Sequence, residues 1–103
     1  MMNRITTDEL KAASESPDPG FILDVRSDRE YASGHVSGST NIPHTALAAR
    51  IDEVPKGDRV YVHCQMGGRA QFAAQVLEAN GYDVYCVVPG GMGEWNAKGY
   101  PTE

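Results

Sequence analysis

Short apolar runs alternate along the chain with segments whose apolar residues recur at helical spacing. The helix predicted at residues 45–54 rests on Leu47, Ile51 and Val54, which share one side. Strands are predicted at residues 21–25, 59–63 and 82–88, and helices at residues 6–16, 27–34, 45–54 and 69–81 and around Trp95. This alternation predicts a small α/β domain with a parallel sheet and helices on both faces.

Residues at the ends of these segments indicate where the elements begin and stop. Thr6 followed by Glu9 is a capping-box pattern, which predicts the start of the first helix. Gly34 and Gly81 stand where helices are expected to stop. Residues 35–44 include Gly38 and Pro43 and are predicted to form an extended connection, with Ile42 as the core residue of a short strand.

Length, composition and charge are those of one ordinary globular domain. The chain has 103 residues, of which 41% are hydrophobic and 22% charged. Fourteen acidic and nine basic residues give a net charge of −5 without a long like-charged run, which argues against nucleic acid or an anionic membrane as a partner. No stretch resembles a signal peptide or a membrane helix, so a cytoplasmic protein is expected.

Two cysteines and three histidines are the candidate reactive or metal-binding side chains. Because a reducing compartment keeps thiols reduced, Cys64 and Cys86 are not expected to form a disulfide. The histidines lie far apart and lack paired-cysteine spacing, so neither a metal nor another cofactor is predicted. Cys86 lies in an apolar strand with no glycine loop or basic residue nearby, and we interpret it as structural.

Cys64 stands between a predicted strand and a predicted helix, in the stretch HCQMGGRAQF. Ligands of parallel sheets bind at this end of the strands. Gly67 and Gly68 are both predicted to allow positive φ and a close approach of the main chain to a ligand. Loop N–H groups, the helix N-terminus and Arg69 would favour an ionised sulfur and hold the outer sulfur of a Cys64 persulfide. We therefore interpret Cys64 as a nucleophile, with a buried structural thiol as the alternative.

Three stretches of the chain together resemble the signatures of the rhodanese family, whose domains carry sulfur as a cysteine persulfide. FILDVRSDREYASGHVSGSTNIP resembles the first signature, VYVHCQMGGRA the active-site loop and VVPGGMGEWNAKGYP the closing signature. They follow in order over nearly the whole chain. The resemblance implies a rhodanese-like sulfurtransferase, with residues 1–103 as a single domain.

The resemblance also implies roles for the loop residues. Cys64 would attack the outer sulfur of thiosulfate or a similar donor, and a thiol or cyanide would then remove that sulfur. Many family members that use thiosulfate have a basic residue where this chain has Gln65, so its neutrality favours persulfides, polysulfides or a protein donor. A monomer is expected, with small sulfur compounds and thiol acceptors as partners. The residues expected to bind the transferred sulfur are Gln65, Met66, Gly67, Gly68 and Arg69.

Three other functions are weighed against this interpretation. Related phosphatases and arsenate reductases keep five residues between cysteine and arginine, whereas four separate Cys64 from Arg69, so the ring suits a sulfur atom better than an oxyanion. A rhodanese-like binding module without catalysis is disfavoured because both residues are present. A relay that passes sulfur between proteins is not separated from a small-molecule enzyme by the sequence.

Other charged and titratable residues near these motifs are predicted to be structural. Asp24 and Arg26 follow a strand, where such a pair commonly forms a local salt bridge or caps a turn. A thiolate that is already ionised by its loop needs no general base, so His35 and His63 are left out of the catalytic set. His63 is expected to point away from Cys64 if side chains alternate to the end of the strand.

Overall fold

A parallel sheet organises the chain. The computed structural model describes residues 2–103, and the strands of this part form one sheet in the order β1-β5-β4-β2-β3. The strands are β1 (Asn3–Ile5), β2 (Phe21–Asp24), β3 (Thr40–Asn41), β4 (Arg59–His63) and β5 (Asp83–Val87). The helices are α1 (Thr7–Ser14), α2 (Asp28–Ala32), α3 (Gly68–Ala79) and α4 (Met92–Ala97). The predicted fold class is confirmed.

Apolar side chains on the two faces of the sheet form separate clusters. The first cluster joins Leu23 and Val62 of the sheet to Leu77 of α3. The second joins Tyr61 of the sheet to Leu10 of α1 and to the start and middle of α4. Successive strand residues supply opposite clusters because side chains alternate across a strand. Helices therefore cover both faces, and Cys86 is buried in the first cluster, as its apolar neighbours predicted.

The strand register brings several loops to one edge of the sheet. Asp24 of β2 lies opposite His63 of β4, and Val62 of β4 lies opposite Cys86 of β5. Because these strands are parallel, the chain leaves β2, β4 and β5 at the same edge. Cys64 is the first residue beyond β4. It lies between the loop that follows β2 and the loop that follows β5, because these two strands flank β4.

The predicted helix at residues 45–54 is wrong. Residues 44–50 form turns, and Ile51–Glu53 is a single 3₁₀ turn. The Val54 N–H donates to the Ile51 carbonyl three residues back, and the Tyr82 hydroxyl donates to the Val54 carbonyl at 2.7 Å. Hydrogen bonds from Tyr82, in the loop after α3, thus take up carbonyls of this segment. Leu47 and Val54 are nevertheless buried, so their apolar character reports burial and not helix.

The ends of the predicted elements are largely confirmed. Thr6 and Glu9 form the capping box at the start of α1. Ile42 is buried directly after the short strand β3. Strand β1 was not predicted, because its three residues are mostly polar and exposed and carry no alternating pattern. Within residues 2–103, no helix has the length and apolar character needed to cross a membrane.

Candidate active site

The sulfur of Cys64 is buried and hydrogen-bonded to the backbone that follows it. The residue is only 1% exposed. Its Sγ accepts a hydrogen bond from the Gly67 N–H at 3.1 Å and another from the Ala70 N–H at 3.3 Å. The Gly67 contact lies within the predicted loop, whereas Ala70 lies beyond it and was not predicted. Two N–H donors directed at one sulfur stabilise negative charge on that atom.

These donors are available because α3 has no capping side chain. The N-cap residues Thr6 and Ser27 each accept a backbone N–H of their own helix, α1 or α2. The N-cap of α3 is Gly67, which has no side chain for this purpose. Helices leave their first N–H groups without an internal partner. In α3, the sulfur of Cys64 takes the place that a capping oxygen has elsewhere.

The two loop glycines have different roles. Gly67 has φ +117°, and a Cβ there would lie 2.9 Å from Cγ2 of Val88. A larger residue at this position would therefore meet both backbone strain and the neighbouring loop. Gly68 begins α3 without positive φ, and no atom lies within 4 Å of a Cβ built there. Of the two glycines predicted to allow positive φ, Gly67 adopts it and Gly68 does not.

Arg69 is held by an acidic residue from another part of the chain. Its Nη1 donates to Oε1 of Glu30 at 2.6 Å, and its Nη2 donates to Oε2 at 3.0 Å. The hydrogen bond from Arg69 lowers the pKa of Glu30 to about 2, and Glu30 in turn raises the pKa of Arg69. The guanidinium therefore ties the start of α3 to α2, with its charge balanced by a carboxylate.

A second contact holds the main chain of the loop from the opposite side. The Met92 N–H donates to the carbonyl of Cys64 at 2.8 Å, and the Gly93 N–H donates to the carbonyl of Gln65 at 3.2 Å. The preceding Gly91 donates to Oγ1 of Thr7 at 3.1 Å. These glycines belong to the stretch that resembles the closing signature, and their contacts with the loop were not predicted. The first turn of α4 therefore fixes the carbonyls of the loop while α3 supplies its N–H donors.

The remaining loop side chains point to different surroundings. Nε2 of Gln65 lies 3.3 Å from where a Cβ on Gly93 would be, so this side chain lies against α4. Met66 at the tip of the loop is 80% exposed. On the other side of the loop, an open groove of about 470 Å³ runs along α3 from Gly68 and Arg69. The loop thus separates a polar side chain packed on α4 from a groove beside α3.

Three of the residues that we predicted to be structural, Asp24, Arg26 and His63, are buried. Arg26 is 4% exposed and donates from Nη2 to Asp24 at 2.7 Å and to the Gly34 carbonyl at 2.8 Å. This confirms the predicted local salt bridge. His63 is fully buried, and burial lowers its pKa. Burial also raises the pKa of Cys86 to about 11, with the nearby Cys64 as a smaller cause.

Comparisons with known proteins identify the family of the chain. The family model described as "Rhodanese-like domain" matches residues 6–98. The "Sulfurtransferase" of Allochromatium vinosum is 27% identical over 101 residues, covering 98% of this chain and 94% of that protein. "Adenylyltransferase and sulfurtransferase uba4" of Ogataea parapolymorpha is 34% identical over 95 residues, covering 90% of this chain but only 23% of that longer protein.

A solved structure has the same fold. The crystal structure of a rhodanese-like domain protein from Staphylococcus aureus superposes with a TM-score of 0.84 at 37% identity, covering 91% of each chain. The family match extends from the first helix to the last, and it includes both Cys64 and the residues that hold its loop. The chain therefore belongs to the rhodanese-like domain family.

Proposed function

We propose that the protein is a sulfurtransferase that carries a sulfane sulfur as a persulfide on Cys64. The observation that carries this proposal is the buried Sγ, which accepts the N–H groups of Gly67 and Ala70. Donors that are already in place cost no reorganisation when charge develops on sulfur. Membership of the rhodanese-like family, and the sulfurtransferase names of relatives, support sulfur transfer in general.

The reaction would proceed in two half-reactions. In the first, the Cys64 thiolate attacks the outer sulfur of thiosulfate, the bond between that sulfur and the sulfonate sulfur breaks, and sulfite leaves with the electron pair. A persulfide donor reacts in the same way, with its thiolate as the leaving group. In the second, an acceptor thiolate or cyanide attacks the outer sulfur and releases the Cys64 thiolate. Such a covalent intermediate gives ping-pong kinetics.

The loop after the nucleophile would hold the outer sulfur of the intermediate. Gln65, Met66, Gly67, Gly68 and Arg69 encircle the space above Cys64 in this proposal, with their N–H groups as the donors. The pairing of Arg69 with Glu30 supports a positioning role, in which the arginine fixes the start of α3. The short loop of four residues favours sulfur over phosphate as the bound group.

A relay function is the second candidate. The uba4 relative is a sulfurtransferase in which the matching region makes up 23% of a longer protein. In a relay, the thiol of a partner protein would reach the loop and take the outer sulfur from the Cys64 persulfide. The donor and acceptor would then be proteins, and turnover of thiosulfate would be incidental.

Intact mass spectrometry tests the proposal directly. After incubation with thiosulfate, or separately with cysteine persulfide, the protein is expected to gain the mass of one sulfur atom. The Cys64→Ser variant is expected to gain none, whereas the Cys86→Ser control keeps the gain. Absence of the added sulfur with both donors would contradict the proposal and favour a binding module. Hydrolysis of an aryl phosphate that disappears in Cys64→Ser would instead indicate a phosphatase.

A further inference from the structure

The groove beside the Cys64 loop has a regular apolar wall. Gly68, Phe72 and Val76 succeed one another at intervals of four residues, so they form a strip along one side of α3. Phe72 is 55% exposed although it is large and apolar. Its ring is nearly perpendicular to that of His44 in the facing turn, with ring centroids 6.0 Å apart. The full set of lining residues is His44, Thr45, Ala48, Gly68, Arg69, Phe72 and Val76.

The inner end of the groove adjoins the loop whose N–H groups bind the Cys64 sulfur. Gly68 lies at its inner end and is the neighbour of Gly67, whose N–H donates to Sγ of Cys64. Phe72 and Val76 lie one and two turns farther along α3. A small molecule with its sulfur at Gly68 would therefore place the rest of its body against Phe72. The volume of about 470 Å³ is within the range of small-molecule sites.

The charges around the groove are already balanced. Among the lining residues that the structure describes, Arg69 alone carries a permanent charge, and both of its terminal nitrogens donate to Glu30. Gln65, on the other side of the loop, is neutral and lies against α4. Beyond it, Glu94 adds negative charge to that side. An anionic ligand would thus meet no unpaired cation along this path.

We propose that this groove binds the uncharged, apolar body of a small thiol or persulfide whose sulfur exchanges with Cys64. The inference rests on the proposed sulfurtransferase function and assigns its substrate class. In the acceptor direction, the thiolate of the small molecule attacks the outer sulfur of the Cys64 persulfide. The bond between the two Cys64 sulfurs breaks, its electron pair leaves with the Cys64 thiolate, and the small molecule departs as a persulfide. The donor direction is the reverse of this step.

A matched pair of acceptors tests the groove. Protein loaded with persulfide on Cys64 is mixed with benzyl mercaptan or with its para-carboxylate, 4-(mercaptomethyl)benzoate, and the loss of the added sulfur is followed by mass. Each rate is normalised to the reaction of the same thiol with a small disulfide. We expect benzyl mercaptan to react about tenfold faster, because only its neutral ring suits an apolar pocket without an unpaired cation. Equal normalised rates would contradict the proposal.

Substitution of Phe72 distinguishes binding in the groove from general hydrophobicity. Phe72→Ser is expected to slow benzyl mercaptan about tenfold while leaving the carboxylate nearly unchanged, since it removes the apolar wall. Gln75→Ser, at an exposed position of the same helix, is the matched control and should change neither rate. If Phe72→Ser loads with sulfur and unfolds like the parent protein but keeps the preference, the groove is not the site and a protein partner becomes its better occupant.

Glu30→Gln tests the role of charge. The variant leaves the Arg69 charge without its carboxylate, so reaction with the carboxylate thiol should rise about threefold relative to benzyl mercaptan. An unchanged ratio would show that Glu30 does not set the preference and would contradict this part of the argument. These outcomes concern protein that carries sulfur on Cys64. Failure of Cys64 to load with any donor would instead remove the proposed function, and the substrate inference with it.

Discussion

Replacement of Gly91 by alanine is expected to damage the active-site loop, although the two segments are far apart in sequence. Gly91 has φ +137°, and a Cβ there would lie 2.3 Å from the carbonyl oxygen of Cys64 and 3.0 Å from that of Gln65. Ordinary contacts of this kind begin at 3.4 Å. The methyl group therefore has to move the Cys64 carbonyl, the start of α4, or both, by about 1 Å.

The cost follows from the hydrogen bonds that such a movement breaks. The Met92 N–H lies 2.8 Å from the Cys64 carbonyl, and about 1 Å of separation takes this pair beyond hydrogen-bond distance. The bond from Gly93 to Gln65 is lost in the same movement. Two bonds at about 1 kcal/mol each, with about 1 kcal/mol for alanine at positive φ, give a destabilisation of about 3 kcal/mol. A small domain with the usual stability remains folded after such a loss.

Urea unfolding and sulfur loading together test this expectation. The control is Gly57→Ala, because Gly57 also has positive φ, at +91°, but no atom lies within 4 Å of a Cβ built there. Gly57→Ala should cost about 1 kcal/mol from its backbone alone. Gly91→Ala should lower the unfolding midpoint by about 1 M urea more than the control and should slow sulfur loading of Cys64. If the two variants have equal midpoints and equal loading, the contact with α4 does not hold the loop.

Three further predictions concern charged and titratable groups. The Glu30–Arg69 pair should stabilise the fold by about 1 kcal/mol, allowing for its partial exposure. Because the pKa of Glu30 is lowered from 4.5 to about 2, this stabilisation is present above the higher value and is lost as pH falls through the lower one. The difference in unfolding free energy between the protein and Glu30→Gln should therefore shrink over that range, and a constant difference would contradict the assignment. Cys86, with its pKa raised to about 11, should resist iodoacetamide in the native protein and react after unfolding; equal rates would mean that the site is open. Asp24→Asn should cost about 3 kcal/mol in urea unfolding, because it leaves Arg26 buried and charged without a carboxylate, and a cost below about 1 kcal/mol would show that water reaches the pair.

The sequence predicts the sheet and the position of Cys64 at the end of a strand well because both depend on local patterns. The stretches at residues 21–25 and 59–63 are short, rich in β-branched and aromatic residues and preceded by turn signals, which favours strands, and Cys64 follows the second stretch directly. The glycine at position 67 also has a local cause, since the chain must turn sharply from β4 into α3. Each of these features depends on residues that are close together in the sequence, so it can be predicted without knowledge of the fold.

The contacts that hold the loop could not be predicted in this way because each joins distant segments. Glu30 is a typical capping-box residue by its local pattern, and it has that role at the start of α2. Its second role, the ion pair with Arg69, depends on the adjacent position of β2 and β4 in the sheet. The helix prediction for residues 45–54 was wrong for a related reason. Two carbonyls of this segment accept hydrogen bonds from the distant Tyr82, which the spacing of its apolar residues does not reveal.

The order of strands explains why these distant contacts meet at one sulfur. The segment that carries Glu30 follows β2, and the segment that carries Gly91 follows β5, and these strands flank β4 on its two sides. The segments after β2, β4 and β5 all leave the sheet at the same edge. The Cys64 loop is therefore held on one side by the pairing of Arg69 with Glu30 and on the other by hydrogen bonds from α4 to its carbonyls. Carbonyls that are bonded outward cannot turn toward the sulfur, which leaves N–H groups to face it. Fixed donors at an atom that gains negative charge are what the proposed persulfide chemistry requires, and here the segments that follow the neighbouring strands hold the glycine-containing loop in place.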